Sequence, residues 1–159
     1  MRILGIDPGI GRAGWGIVEV QGGNVKAIDY GCIETPKEDA LEQRIETLYA
    51  TLIKIIEAHK PEALAIESLF FNKNVTTALT VGQARGVVLL AAAQNKMSVT
   101  SYTPQQVKSG ITGYGKADKQ QVGHMIKMVL HLSAIPKPDD TADALAIAVT
   151  HAFSYKLMR

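Results

Sequence analysis

Four acids stand out by type and position: Asp7, Glu67, Asp140 and Asp143. Asp7 closes a strand-like run in Gly5-Ile6-Asp7-Pro8-Gly9, and Glu67 closes another, Ala63-Leu64-Ala65-Ile66. Asp140 and Asp143, spaced i to i+3 at the start of an expected helix, fall on one face of its first turn. Gathered together, such carboxylates repel one another unless a divalent cation sits among them. All-oxygen donors suit magnesium, with manganese able to substitute. Two such ions, about 4 Å apart, clamp the attacking and leaving oxygens of a phosphodiester displacement. Each acid alone also has a plainer reading. Asp-Pro-Gly is ordinary turn chemistry, Glu67 could be an exposed strand end, and Asp140 and Asp143 could form an N-cap with its capping-box partner.

The elements that must position these acids follow from pattern. Residues 3–6, 15–20 and 25–33 read as strands, with Gly22-Gly23-Asn24 as a hairpin turn. Leu41, Ile45, Leu48, Leu52, Ile55 and Ile56 trace the apolar face of a helix over 38–59, which Pro61 follows. A short apolar strand over 63–66 leads to Glu67, a small-residue helix covers 76–95, and 98–102 forms the fifth strand. Thr103-Pro104 opens a short helix, and residues 110–115, with three glycines, are expected to form a mobile loop. Helices over 119–130 and 140–155 complete the chain. This order predicts an α/β fold: a mixed five-stranded sheet, three antiparallel strands and then parallel ones, flanked by helices. With the first and fourth strands as parallel neighbours, Asp7 and Glu67 converge and the last helix can close the cleft over them.

At 159 residues, 47% hydrophobic and 20% charged, the chain is sized for one domain, residues 1–159, with its own core. Its 17 bases and 15 acids leave a net charge of +2. The spread is uneven: residues 34–67 hold eight acids against four bases, whereas 71–130 hold seven bases and one acid, Asp118. That basic half is a candidate surface for a polyanion. A lone Cys32, without CxxC or zinc-type spacing, is expected in the core of a protein of the reducing cytoplasm. The longest unbroken apolar run, residues 87–93, is far too short to span a bilayer, so no membrane partner is expected. His124, His131 and His151 suit structural or surface positions, and no Ser/His/Asp or Cys/His nucleophile set is suggested.

Five motifs in order carry a resemblance over essentially the whole chain: Ile3-Leu4-Gly5-Ile6-Asp7-Pro8-Gly9, Ala65-Ile66-Glu67, Val81-Gly82-Gln83-Ala84-Arg85-Gly86, Gln106-Val107-Lys108 and Asp140-Thr141-Ala142-Asp143-Ala144-Leu145-Ala146. The sequence resembles the bacterial RuvC family of Holliday junction resolvases, within the ribonuclease H-like superfamily. By position, the resemblance implies that Asp7, Glu67, Asp140 and Asp143 are metal-binding catalytic acids. It further implies a homodimer that cuts two strands of like polarity at symmetric positions in a four-way DNA junction, during recombination and repair, in cooperation with RuvA and RuvB.

Phe70 matches the family's aromatic that stacks on an unpaired base, a contact worth roughly 1–3 kcal/mol; Phe71 is left to the core. Lys108 and Lys119 match lysines linked to junction binding or catalysis. Lys116 flanks the same glycine-rich loop, and Lys73 and Arg85 are phosphate candidates by charge and location alone. A solvated basic face is the plainer alternative for all of these. Three other functions remain open at this point. Asp7-Pro8-Gly9 also suits an actin-like ATPase phosphate loop, although one domain is short for that; a related nuclease of RNA or another branched substrate would need the same acids; and a non-catalytic junction-binding protein would need the bases alone.

Overall fold

The computed structural model describes residues 1–68 and 75–157. In chain order its elements are β1 (Arg2–Asp7), β2 (Arg12–Gln21), β3 (Asn24–Glu34), α1 (Leu41–His59), β4 (Ala63–Glu67), α2 (Val75–Gln94), β5 (Ser98–Tyr102), α3 (Pro104–Thr112), α4 (Lys119–Val129) and α5 (Asp139–Leu157). The strands form one sheet in the order β3-β2-β1-β4-β5. β1, β2 and β3 pair antiparallel, while β4 joins β1 and β5 joins β4 in parallel, as expected from the sequence.

Successive strand residues point to opposite faces, and the core divides accordingly. Leu4, Ile6, Leu64 and Ile66 pack with Leu48 and Leu52 of α1 and Ala84 and Val88 of α2. On the other face Ile3, Ala63 and Ala65 meet Leu145, Ala148 and Ala152 of α5. Val107 and Ile111 of α3 and Val122 and Ile126 of α4 cover the far side of α5. This helix is therefore buried nearly all round, which its unbroken run Ala144 to Val149 reflects.

Missing side chains set the depth of α5. A Cβ placed on Gly5 would lie 2.1 Å from the Ala144 carbonyl oxygen, and one on Gly14 would lie 1.8 Å from that of Asp140. Gly14 pairs with Asp7 in the β1–β2 register. The bare backbone at 14 thus lets the first turn of α5 settle beside Asp7. The Thr141 hydroxyl fastens that turn by donating to the Gly31 carbonyl of β3 at 3.1 Å.

Several boundaries differ from the sequence reading. α1 begins at Leu41, not 38, because Ala40 is the cap and its N–H is taken by the Gln43 side chain at 3.2 Å. β2 begins at Arg12, since pairing with β3 extends that far. Residues 110–112, expected in a loop, continue α3, which Gly113 ends in the left-handed region at φ 75°. Cys32 is not a core residue: it lies half-buried on edge strand β3, its thiol pKa pushed up mainly by burial. Helix α2 is long and apolar enough to cross a bilayer by length and composition, which the unbroken run 87–93 understated. One face of α2, with Ala84, Val88, Ala91 and Ala92, is nevertheless committed to the core.

Candidate active site

Parallel pairing of β1 with β4 sets Ile6 opposite Ile66, so Asp7 and Glu67 are the next residues on adjoining strands. Strand alternation sends both toward the α5 face. There the first turns of α5 bring in Asp140 and Asp143. The capping-box alternative for this pair does not hold: α5 begins at Asp139, Asp143 Oδ2 faces Lys119 Nζ at 3.4 Å, and Asp140 Oδ2 faces Arg12 Nε at 3.5 Å. Lys119 is held as the first residue of α4 by a capping box, in which Asp118 Oδ1 accepts from the Gln121 N–H and Gln121 Oε1 accepts from the Asp118 N–H. A lysine at a helix N-terminus opposes the macrodipole, and Asp143 offsets that cost.

Electrostatic strain marks the cluster. The Asp7 carboxyl is pushed up to about 7, first by burial and then by the charges of Glu67, Asp143 and Asp140, against the pull of Lys119. Glu67 is raised by burial and by Asp143, and Asp143 is raised chiefly by burial, with Lys119 drawing it down. Asp143 in turn raises Lys119. Beside the acids opens a cleft of about 250 Å³ bounded by Glu67, Asp143, Lys108 and Lys119, with Val107 and Ile147 in its apolar wall.

The other sequence candidates fall in different places. Lys108 lines the cleft, whereas Lys116 is exposed and does not. Arg85 turns inward, donating to the Glu67 backbone carbonyl at 2.7 Å and to Ser101 Oγ at 2.9 Å. Phe70, Phe71 and Lys73 lie outside the described residues. His151 Nδ1 meets the Tyr102 hydroxyl at 2.8 Å, a link from α5 to β5. Sequence reasoning missed Arg12. Its signal is present, however: a base five residues after Asp7, where the antiparallel return of β2 carries it past the end of β1 toward α5.

An all-carboxylate donor set strained by its own repulsion fits a hard divalent cation, which would relieve the burial and repulsion acting on Asp7. Among the described residues no three such side chains already stand in ligating geometry. Arg12 and Lys119 hold two of the four carboxylates in ion pairs.

The family model for "Crossover junction endodeoxyribonuclease RuvC" matches residues 3–151. A relative of that name from Heliobacterium modesticaldum is 53% identical over 97% of this chain and 95% of its own. Another, from Halothermothrix orenii, is 49% identical over 100% of this chain and 96% of its own. The structure of T. thermophilus RuvC in complex with Holliday junction substrate superposes with a TM-score of 0.94 at 36% identity, covering 99% of this chain and 96% of that one. With its ribonuclease H-like sheet and a match along nearly its whole length, the chain belongs to the RuvC family of crossover junction endodeoxyribonucleases.

Proposed function

We propose that the chain resolves four-way DNA junctions by symmetric hydrolysis of phosphodiester bonds, with Asp7, Glu67, Asp140 and Asp143 as the metal-holding catalytic acids. Junction resolution is the activity of its family. The observation that carries the residue assignment is the convergence of Asp7 and Glu67, on adjoining strand ends, with Asp143 of α5, the three raising one another's charge cost while Glu67 and Asp143 line one cleft. Membership of the family implies a divalent cation; on this reading it is magnesium, two ions per site, with manganese able to substitute. When bound, such ions supply Lewis acidity toward the scissile phosphate and lower the pKa of water.

The chain's own residues do the rest. Asp7 and Glu67 offer oxygens from rigid strand ends, and Asp140 and Asp143 add theirs once released from Arg12 and Lys119. Lys119 and Lys108, on the cleft, attract and orient the DNA phosphates. Lys116 and, by charge and place in the sequence alone, Lys73 are further phosphate contacts on this reading, and Phe70, three residues after Glu67, is the aromatic that stacks on an unpaired base.

A two-fold substrate is matched by an isologous homodimer with one acid cluster per protomer. Helix α2 supports this. Its Val75, Leu79 and Leu90 are 85%, 63% and 53% exposed, an apolar surface that a second copy would cover. The setting is the cytoplasm, alongside RuvA and RuvB. Incubation with a mobile synthetic four-way junction and magnesium tests the reading: paired, symmetric, ligatable nicks are expected. Asymmetric cuts, or a preference for linear RNA duplex, would sink it.

A further inference from the structure

Arg85 sits midway along α2, and its half-buried guanidinium bonds to groups of the chain itself. Nη1 donates to the Glu67 carbonyl at 2.7 Å and Nη2 to Ser101 Oγ at 2.9 Å. Ser101 lies opposite Ile66 in the β4–β5 register, and Tyr102 lies opposite Glu67. One planar fork therefore bridges two parallel strands at the residue where β4 stops. The next bond along, from the Ser68 N–H to the Tyr102 carbonyl at 2.7 Å, closes the same strand ends. The stem of Arg85 starts from a fixed helix, since its neighbours Ala84 and Val88 are 0% and 1% exposed.

At Glu67 the grip is on backbone, and at Ser101 on the hydroxyl. The charges that move the Glu67 carboxyl are those of Asp143 and Lys119, and Arg85 is not one of them. A lysine would supply a point donor to one acceptor, whereas the guanidinium fork spans both strands.

Resting on the assignment of Glu67 to the metal-holding acids, we infer that Arg85 is a positioning residue: it fixes the end of β4, and hence the direction from which the Glu67 carboxylate enters the cluster, and it ties α2 to that carboxylate. Partners bonded directly to a ligating side chain set its orientation and the cation's affinity; the hold of Arg85 lies one step further out, on the backbone from which the Glu67 side chain springs.

The test uses the full chain with Arg85→Ala, Arg85→Lys, Ser101→Ala and, as reference, Glu67→Gln. Three quantities are measured: manganese binding without DNA by electron paramagnetic resonance, junction affinity without divalent cation, and single-turnover cleavage against magnesium concentration. Arg85→Ala is expected to weaken manganese binding by roughly tenfold or more, to move the magnesium midpoint in parallel and to spare junction affinity. Arg85→Lys recovers part of the loss. Ser101→Ala, which removes one arm, shifts the midpoint the same way by about threefold.

Lost junction affinity with an unmoved cation midpoint in Arg85→Ala would make Arg85 a phosphate contact and overturn the inference. So would unmoved midpoints in both Arg85→Ala and Ser101→Ala. Should Arg85→Ala fail to fold, Ser101→Ala decides alone, and an unmoved midpoint there is fatal. Glu67→Gln separates the two failures. If it binds manganese and cleaves as the parent does, the site assignment is wrong; if it loses both while the Arg85 and Ser101 variants stay unmoved, only the role of Arg85 is wrong.

Discussion

Asp7 and Glu67 arrive on the ends of parallel strands, Asp140 and Asp143 on the first turns of a helix, and the two pairs tolerate their charge by different means. The helix pair is met by cations: Arg12 faces Asp140 at 3.5 Å and Lys119 faces Asp143 at 3.4 Å. For the strand pair no salt bridge is formed among the described residues, and burial adds to repulsion until the Asp7 carboxyl stands near 7. A sheet with ordered neighbours on both faces cannot swing its strand ends toward solvent, whereas exposed Arg12 and Lys119 reach the helix acids on flexible stems. The strain is therefore greatest at Asp7 on the strand side, while Asp143, raised by burial, has part of it offset by Lys119, and a cation gains most by relieving it at Asp7.

The largest expected effect breaks the strand side. Asp7→Asn should lower single-turnover junction cleavage by at least about a hundredfold while junction binding is retained. In chelator the same change should stabilise the protein. The Asp7 carboxyl, raised from 3.8 to about 7, holds its proton more tightly folded than unfolded. Metal-free stability therefore falls as pH rises from about 4 to about 7, by up to roughly 4 kcal/mol, and the penalty persists above that window. Urea unfolding in EDTA should show the parent losing stability across this range and Asp7→Asn losing clearly less, the remaining slope coming from Glu67 and Asp143, which burial also raises. A parent curve with no such slope would mean that burial and repulsion do not strain Asp7.

The next effect removes the geometry that joins the two sides. Gly14→Ala places a Cβ on the Asp140 carbonyl oxygen, where neither strand nor helix backbone can give locally. Lifting α5 should cost about 1–3 kcal/mol of stability and separate Asp140 from Asp7, so cleavage falls even with all four acids present. Thermal unfolding and cleavage rate check it together; a fully active, fully stable Gly14→Ala would show that α5 does not need its depth.

The contrast between the sides also explains what could be read from residues alone. Strand-end acids and an i, i+3 pair announce themselves, because strand and helix periods fix where side chains go once the elements are known. The mixed sheet was legible for the same reason: alternation, a two-glycine turn and helix-period runs each name a local structure. Arg85 reads as a surface base on a helix. That its fork turns back to Glu67 depends on where α2 lies against β4 and β5, which no local pattern carries. Arg12 was missed likewise, because its partner is 128 residues away and meets it only after α5 docks on Gly14. The extension of α3 through Gly110 was hidden by that glycine, which marks a turn in sequence but here lies against Thr150 of α5.

The smallest expected effect lies on the helix side, and salt makes it diagnostic. Arg12 is 57% and Lys119 73% exposed, so each pair is in contact with water and worth about 0–1 kcal/mol. Arg12→Ala and Lys119→Ala should therefore change metal-free stability by less than about 1 kcal/mol each. At about 1 M salt, where screening acts over roughly 3 Å, even that difference should vanish. The gain from Asp7→Asn should largely survive the same salt, because its first cause is burial, and ions in solution do not restore lost hydration. Urea titrations of the three variants at low and high salt make the comparison directly. If the Asp7→Asn gain disappears with salt as the Arg12 and Lys119 effects do, strand and helix acids are held by the same long-range repulsion, and the division between them fails.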